Sequence, residues 1–169
     1  IRKEGNTPAW GAVFEQYFQE IDKVKGQKGV LSVEKKLFVE TNNGTNRQIR
    51  PVTPEQPLRI GDKVIVRLTI RTDREMNYVF LKDLRAGCFE PADQLSGPES
   101  RDGIWYYRSP KDVSENFFIN RLPEGTFVLE YPVYVSRSGE YAGGISTIQC
   151  MYAPEFVSHT AGESLRIMP

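Results

Sequence analysis

Between Lys63 and Arg71 the apolar residues Val64, Val66, Leu68 and Ile70 fall on every second position, with Lys63, Arg67, Thr69 and Arg71 between them. A period of two places one such set on a single face of a β-strand, and no helix does so. The strand follows a Gly61-Asp62 turn and leads through a polar corner to a second strand that ends in the Gly87-Cys88 loop. Leu31 to Glu40 alternates through Leu31, Val33, Leu37 and Val39, with Lys35 as the one fault. Asn42-Asn43-Gly44 after it is a hairpin turn signal, because Asn and Gly accept positive φ at low cost. Pro51, Pro54 and Pro57 keep the next stretch out of a continuous ladder.

Five further short segments, Ile104–Arg108, Glu115–Asn120, Thr126–Ser136, Gly144–Met151 and Ser164–Met168, are β-branched or aromatic and separated by turns. Pro132 within the third points to an edge position or a bulge. Phe89 to Gly103, polar and rich in turn formers, reads as a long irregular loop. The start is ambiguous. As a strand, Trp10, Ala12 and Phe14 share one side; as a helix over 10–24, Val13, Tyr17, Ile21 and Val24 form a stripe. The clustered β-formers and Gly11 favour a strand through Tyr17. The expected fold is all-β, an antiparallel β-sandwich of the Ig-like kind over 31–169, with 1–30 a connecting segment that contributes a strand.

Composition narrows the function. Lys plus Arg and Asp plus Glu are 22 each, so no long-range field attracts nucleic acid, and no basic stripe appears in any strand. No apolar run is long enough to span a bilayer, so membrane contact would need an anchor outside this stretch. The first residues, lacking a signal-peptide core and an initiating Met, suggest a piece of a longer protein.

Catalytic chemistry has few footholds. The one histidine, His159, lies in a loop with no nucleophile elbow and no metal-ligand spacing around it, and reads as a solvated residue. Asp83, Glu90, Asp93 and Glu99 surround one loop and read as solvated charge. Trp105, Tyr106 and Tyr107 are a candidate binding platform, but Tyr106 must face away from the other two, and core is the stronger reading. Cys88 and Cys150 both fall at strand ends beside irregular segments. They are expected to lie close enough to pair in an oxidising compartment, which would close a loop of about sixty residues worth on the order of 4 kcal/mol; two buried free thiols are the alternative. Two thiolates and one distant His make no metal site, and no cofactor motif is present.

The run RIGDKVIVRLTIRTDREMNYVFLKDLRAGCFEP followed by FFINRLPEGTFVLEYPVYVSRSGEYAGGISTIQCMYAPEF resembles the C-terminal macroglobulin-like domain of bacterial alpha-2-macroglobulin-type proteins. The shared features are the Gly-Asp turn before the alternating strand, the Tyr-Val-x-Leu-x-Asp strand, the Arg-Leu-Pro-x-Gly-Thr corner and the Met-Tyr-x-Pro-Glu loop, across about residues 31–168. The resemblance implies a non-catalytic module of an exported protease trap, an endopeptidase inhibitor, with neighbouring domains as direct partners and target proteases engaged by the whole protein. Many members of that family carry a Cys-x-Glu-Gln thioester in another domain. Here Cys88-Phe89-Glu90 is followed by Pro91, so no thioester can form at that site. The alternative is an Ig-like bacterial surface module for adhesion or glycan binding.

Overall fold

The computed structural model describes residues 4, 6–8, 10–43 and 46–169. In chain order it contains a 3₁₀ turn, Ile21–Lys23, and the strands β1 Ser32–Asn43, β2 Asn46–Pro51, β3 Leu58–Arg59, β4 Lys63–Thr72, β5 Met76–Leu84, β6 Phe89–Pro91, β7 Gly97–Arg101, β8 Ile104–Pro110, β9 Ser114–Leu122, β10 Gly125–Val135, β11 Gly139–Ala142, β12 Ser146–Cys150, β13 Val157–His159 and β14 Ser164–Met168. They form a five-stranded sheet β2-β1-β4-β10-β6, a six-stranded sheet β13-β12-β5-β9-β8-β7, and a small sheet β11-β14-β3. All pairings are antiparallel except that of β14 with β3. The expected antiparallel β-sandwich is the observed fold.

The core lies between the two large sheets. From β4 it takes Val64, Val66, Leu68 and Ile70, each at most 1% exposed, and β10 adds Leu129, Tyr131 and Val133 on the same face. From the opposing sheet come Val79 and Leu81 of β5, Phe117 and Ile119 of β9, Ile104 and Tyr106 of β8, and Ile148 of β12. Pro132 sits inside the five-stranded sheet, yet β6 pairs only with Val133–Val135. At Pro132 itself that flank of β10 meets only the Ala92 amide, which donates to the Pro132 carbonyl at 3.4 Å, so proline's missing N–H goes undemanded.

Three expectations need correction. The strand through Tyr17 is absent: residues 10–20 join no ladder, and the segment meets the sandwich only from Asp22 onward, through Asp22, Val24 and the bridge of Gln27 with His159. The supposed irregular loop from Phe89 to Gly103 contains β6 and β7, the latter paired with β8 from Gly97↔Arg108 to Arg101↔Ile104. Its proline is tolerated because β7 is an edge strand. The hairpin turn expected at Asn42-Asn43-Gly44 falls on Gly44, outside the described residues, although Asn43 pairs with Asn46 across it.

The cysteines are the third case. Both are buried and neither is bridged. Cys150 pairs with Val79 and donates its thiol to the Asn77 carbonyl at 3.3 Å. Cys88 lies past the opposite end of β5, where its carbonyl accepts the Ser136 amide at 2.8 Å. Val79 to Leu84 alone spans about 17 Å at a strand's rise, far beyond the roughly 7 Å a disulfide tolerates. Burial pushes the Cys88 thiol up to about 11. At pH 8 the thiolate fraction is then on the order of one in a thousand. Cys88 is therefore expected to resist iodoacetamide in the folded protein, and both thiols to react freely in denaturant without prior reduction. A requirement for reductant before alkylation would reinstate the bridge.

Candidate functional site

Two assemblies of side chains stand out, one inside the sandwich and one on its surface. The inner one begins at Asp83. Its position in β5 puts it on the inward face with Val79 and Leu81, and it is fully buried, not the solvated loop charge its sequence setting suggests. Asp83 Oδ1 accepts the Lys35 ammonium at 2.9 Å and the Ser146 hydroxyl at 2.7 Å, and Oδ2 accepts the Tyr131 hydroxyl. Lys35 comes from β1 and Tyr131 from β10, so the carboxylate ties the two sheets together. The single fault in the alternation of β1 is the cation that Asp83 requires.

Directly across the ladder from Asp83 stands a second buried carboxylate, Glu115. Like charges in register repel, so each carboxylate needs its own cations. Glu115 accepts Arg85 Nη1 at 3.0 Å and Arg108 Nε at 2.7 Å. Arg108 also reaches Asp93 and Glu99 at 3.5 Å, which joins two of the loop acids to the same cluster. Glu99 further accepts the Tyr106 hydroxyl, and burial together with that carboxylate pushes the phenol up to about 12. Glu90, on β6, remains exposed. With Asp83, Glu115, Asp93 and Glu99 each engaged by a cation, the cluster joins the two sheets through Lys35 and Asp83 and ties β5, β8 and β9 together through Glu115. His159 is not a loop residue as expected but the last of β13, with Nδ1 3.1 Å from the Thr160 carbonyl. Among the described residues no group of three or more His, Cys, Asp or Glu could hold a metal ion.

The outer assembly lies on the solvent face of the six-stranded sheet. Registers place Gln149, Phe80, Phe118, Tyr107 and Pro98 in one row across β12, β5, β9, β8 and β7. Phe80 stacks on Phe118 with ring centroids 4.9 Å apart. One residue pair along, Trp105 is 71% exposed, and Tyr106 points into the core as strand geometry demands. At the other end, Tyr78 meets Tyr152 edge-on at 5.1 Å. Tyr78 holds a φ of 56°, a left-handed conformation costly for a bulky residue, and its carbonyl accepts the Met151 amide at 2.9 Å. The strain aims this ring outward. A depression of about 280 Å³ lies among Tyr78, Phe80, Phe118, Asn120, Met151 and Tyr152, and a second of about 420 Å³ runs past Trp105, Tyr107 and Phe118 to Arg121.

The sequence carries a sign of this surface in its pattern, not in a motif. In β5, β8 and β9 apolar residues occupy adjacent positions (Tyr78-Val79-Phe80-Leu81, Ile104-Trp105-Tyr106-Tyr107 and Phe117-Phe118-Ile119). Apolar side chains at both parities are the mark of a strand covered on two faces. In β4, by contrast, four of the five outward positions, Lys63, Arg67, Thr69 and Arg71, are polar, and only Ile65, 3% exposed, is apolar.

A profile described as the bacterial alpha-2-macroglobulin MG10 domain matches residues 31–155. The chain belongs to this family. Solved structures agree on the fold of the MG10 module. A crystal structure of Salmonella alpha-2-macroglobulin superposes with a TM-score of 0.67 at 21% identity, covering 86% of this chain and 10% of that one. Escherichia coli alpha-2-macroglobulin activated by porcine elastase gives 0.66 at 18% identity, with 86% and 14% covered. The native Escherichia coli protein from domain MG7 to the C-terminus gives 0.65 at 16% identity, with 85% and 24% covered. A curated relative, "Circularly permutated Ras protein 2" of Dictyostelium discoideum, is 28% identical over 109 residues, which is 64% of this chain and 3% of that protein. The module thus spans a small part of every one of these relatives. Among the described residues no helix is long and apolar enough to cross a membrane.

Proposed function

We propose that this MG10 module is a non-catalytic docking domain of an exported alpha-2-macroglobulin-like endopeptidase inhibitor, a protease trap, set toward the C-terminus of its parent and seated on neighbouring domains through the outer face of the six-stranded sheet. The observation that carries the reading is the apolar character of β5, β8 and β9 at both parities, which leaves Trp105, Tyr107 and Phe118 exposed on a face built to be covered. Aromatic side chains of this kind are the usual anchors of an interface. The absence of a catalytic role is supported from inside: Asp83 is committed to Lys35 of the opposing sheet, and Glu115 to Arg85, which follows β5, and Arg108 of β8. Export and the target proteases follow from the family reading, and the family match favours it over an adhesion module.

Tyr107→Glu and Phe118→Glu together place charge on the face at residues that are 47% and 45% exposed, so the sandwich itself is expected to keep its stability. In the intact parent, inhibition of an endopeptidase acting on a protein substrate is expected to weaken by about tenfold or more, the loss that one buried interface anchor brings. Unchanged inhibition would remove this face from the account. An unaltered parent that inhibits no endopeptidase would remove the trap reading.

A further inference from the structure

Residues 10–20 form neither strand nor helix, and they hold large apolar side chains in water: Trp10 is 97% exposed, Phe14 93% and Phe18 106%, with Val13 and Tyr17 exposed beside them. Flexible linkers are polar, and a run this apolar marks a contact surface. Its order is helical. At about 100° per residue, Trp10, Val13, Phe14, Tyr17, Phe18 and Ile21 fall within an arc of about 140°, and Glu15, Gln16, Gln19, Glu20 and Asp22 fall outside it. A strand would send Trp10, Phe14 and Phe18 to one side and Val13, Tyr17 and Ile21 to the other, leaving no polar side.

End signals agree with the period. Thr7 and Pro8 stand where a helix takes its N-cap and its first residue, and Lys23 and Lys25 stand where the dipole favours cations. The last turn is already helical at Ile21–Lys23, with Gln19 Nε2 donating to the Lys23 carbonyl at 2.9 Å and Glu20 paired with Lys23. A helix of some twelve residues is marginal alone in water, so this one forms where its apolar face is covered.

The other end is clamped to the sandwich. Gly162 donates its amide to the Val24 carbonyl at 2.8 Å, and a Cβ there would stand 1.9 Å from the Ile21 carbonyl oxygen, an approach only glycine allows. Gln27 and His159 exchange both backbone bonds, at 2.9 and 3.1 Å, and Ser164 Oγ donates to Asp22 at 3.1 Å. Only Gln19 and Glu20 separate Phe18 from the clamped turn. Whatever receives the aromatic face is thereby fixed close to β13.

We infer that residues 10–21 fold as an amphipathic helix on docking into an apolar groove, flanked by Lys or Arg, of the domain that precedes this module in the parent chain. The inference rests on the reading of the chain as one module of a longer protein. The matched family region begins at residue 31, so the segment lies outside the sandwich on its upstream side, and the solved relatives are chains of which this one covers 10% to 24%. Glu20 is paired with Lys23, but Glu15 and Asp22, with no Lys or Arg from residue 10 to 22, call for a cationic rim and are repelled by an anionic lipid surface.

Amide hydrogen exchange read by mass spectrometry on the 169-residue chain and on the intact parent is the test. Residues 10–21 are expected to exchange at coil rates in the chain and about a hundredfold or more slower in the parent. Phe14→Asp and Tyr17→Asp, each in the parent, are both expected to abolish that protection while β4 and β10 stay protected. On a strand buried on one side only one of the two would. Coil rates in the parent, protection already complete in the isolated chain through docking on its own sandwich, or sensitivity to only one of the substitutions would overturn the inference. Whether the parent inhibits a protease does not enter these readings, so a failed trap and a failed helix are told apart.

Discussion

Asp83→Leu is expected to destabilise the sandwich by about 3 to 5 kcal/mol, the cost of leaving a buried charge without its partner. The stranded group is Lys35, whose side chain is 4% exposed and whose ammonium would keep only the Leu84 and Gly143 carbonyls. The hydroxyls of Tyr131 and Ser146 would lose their acceptor in the same step. For a domain of this size the loss corresponds to a melting midpoint lower by roughly 6 to 20 °C. Lys35→Met combined with Asp83→Leu is expected to recover much of it, since an apolar pair leaves no uncompensated charge. Thermal unfolding of the two variants measures both effects. A single variant within about 0.5 kcal/mol of the unaltered chain would show that the pair contributes nothing to holding the sheets together.

Leu68→Ala is expected to cost about 2 to 5 kcal/mol, by lost transfer energy and the cavity left behind. Leu68 is fully buried in the middle of β4, between Lys35 of β1 and Leu129 of β10, where neighbouring strands leave little room for collapse. Its neighbour Arg67 points the other way, over the Phe38 ring at 4.4 Å and onto Glu130 at 2.6 Å. Arg67→Ala removes a partly exposed pair and is expected to cost about 1 kcal/mol or less. Equilibrium urea unfolding compares them. A larger loss at Arg67 than at Leu68 would invert the two faces of β4.

The contrast between these residues shows what the sequence made legible. The alternation of β4 names its buried face correctly because Val64, Val66, Leu68 and Ile70 meet the core, while the other side, Ile65 apart, carries polar residues. The polar layer escaped notice because its members are far apart in the chain. Asp83, at an inward position in β5, reads as loop charge until the fold brings Lys35 beside it, and the fault at Lys35 has no meaning alone. β7 was hidden by Gly97 and Pro98, which an edge strand tolerates and a central one does not. The separation of the cysteines is not legible from their positions at strand ends, because a strand has two ends and the thiols lie at opposite ones. For residues 10–20 both periods are present in the sequence, and the β-formers favour the strand. Their helical segregation acquires weight only once the structure leaves them uncovered. The interaction face was legible in principle from the adjacent aromatics of β5, β8 and β9.

The claim that this face is an interface within a larger parent is tested most directly by hydroxyl-radical footprinting of Trp105, Tyr107, Phe118 and Tyr152 in the 169-residue chain and in the intact parent. The account predicts ready oxidation of all four in the chain, where they are 71%, 47%, 45% and 81% exposed, and loss of most of that oxidation in the parent. Equal oxidation in both would leave the face in water and contradict the account.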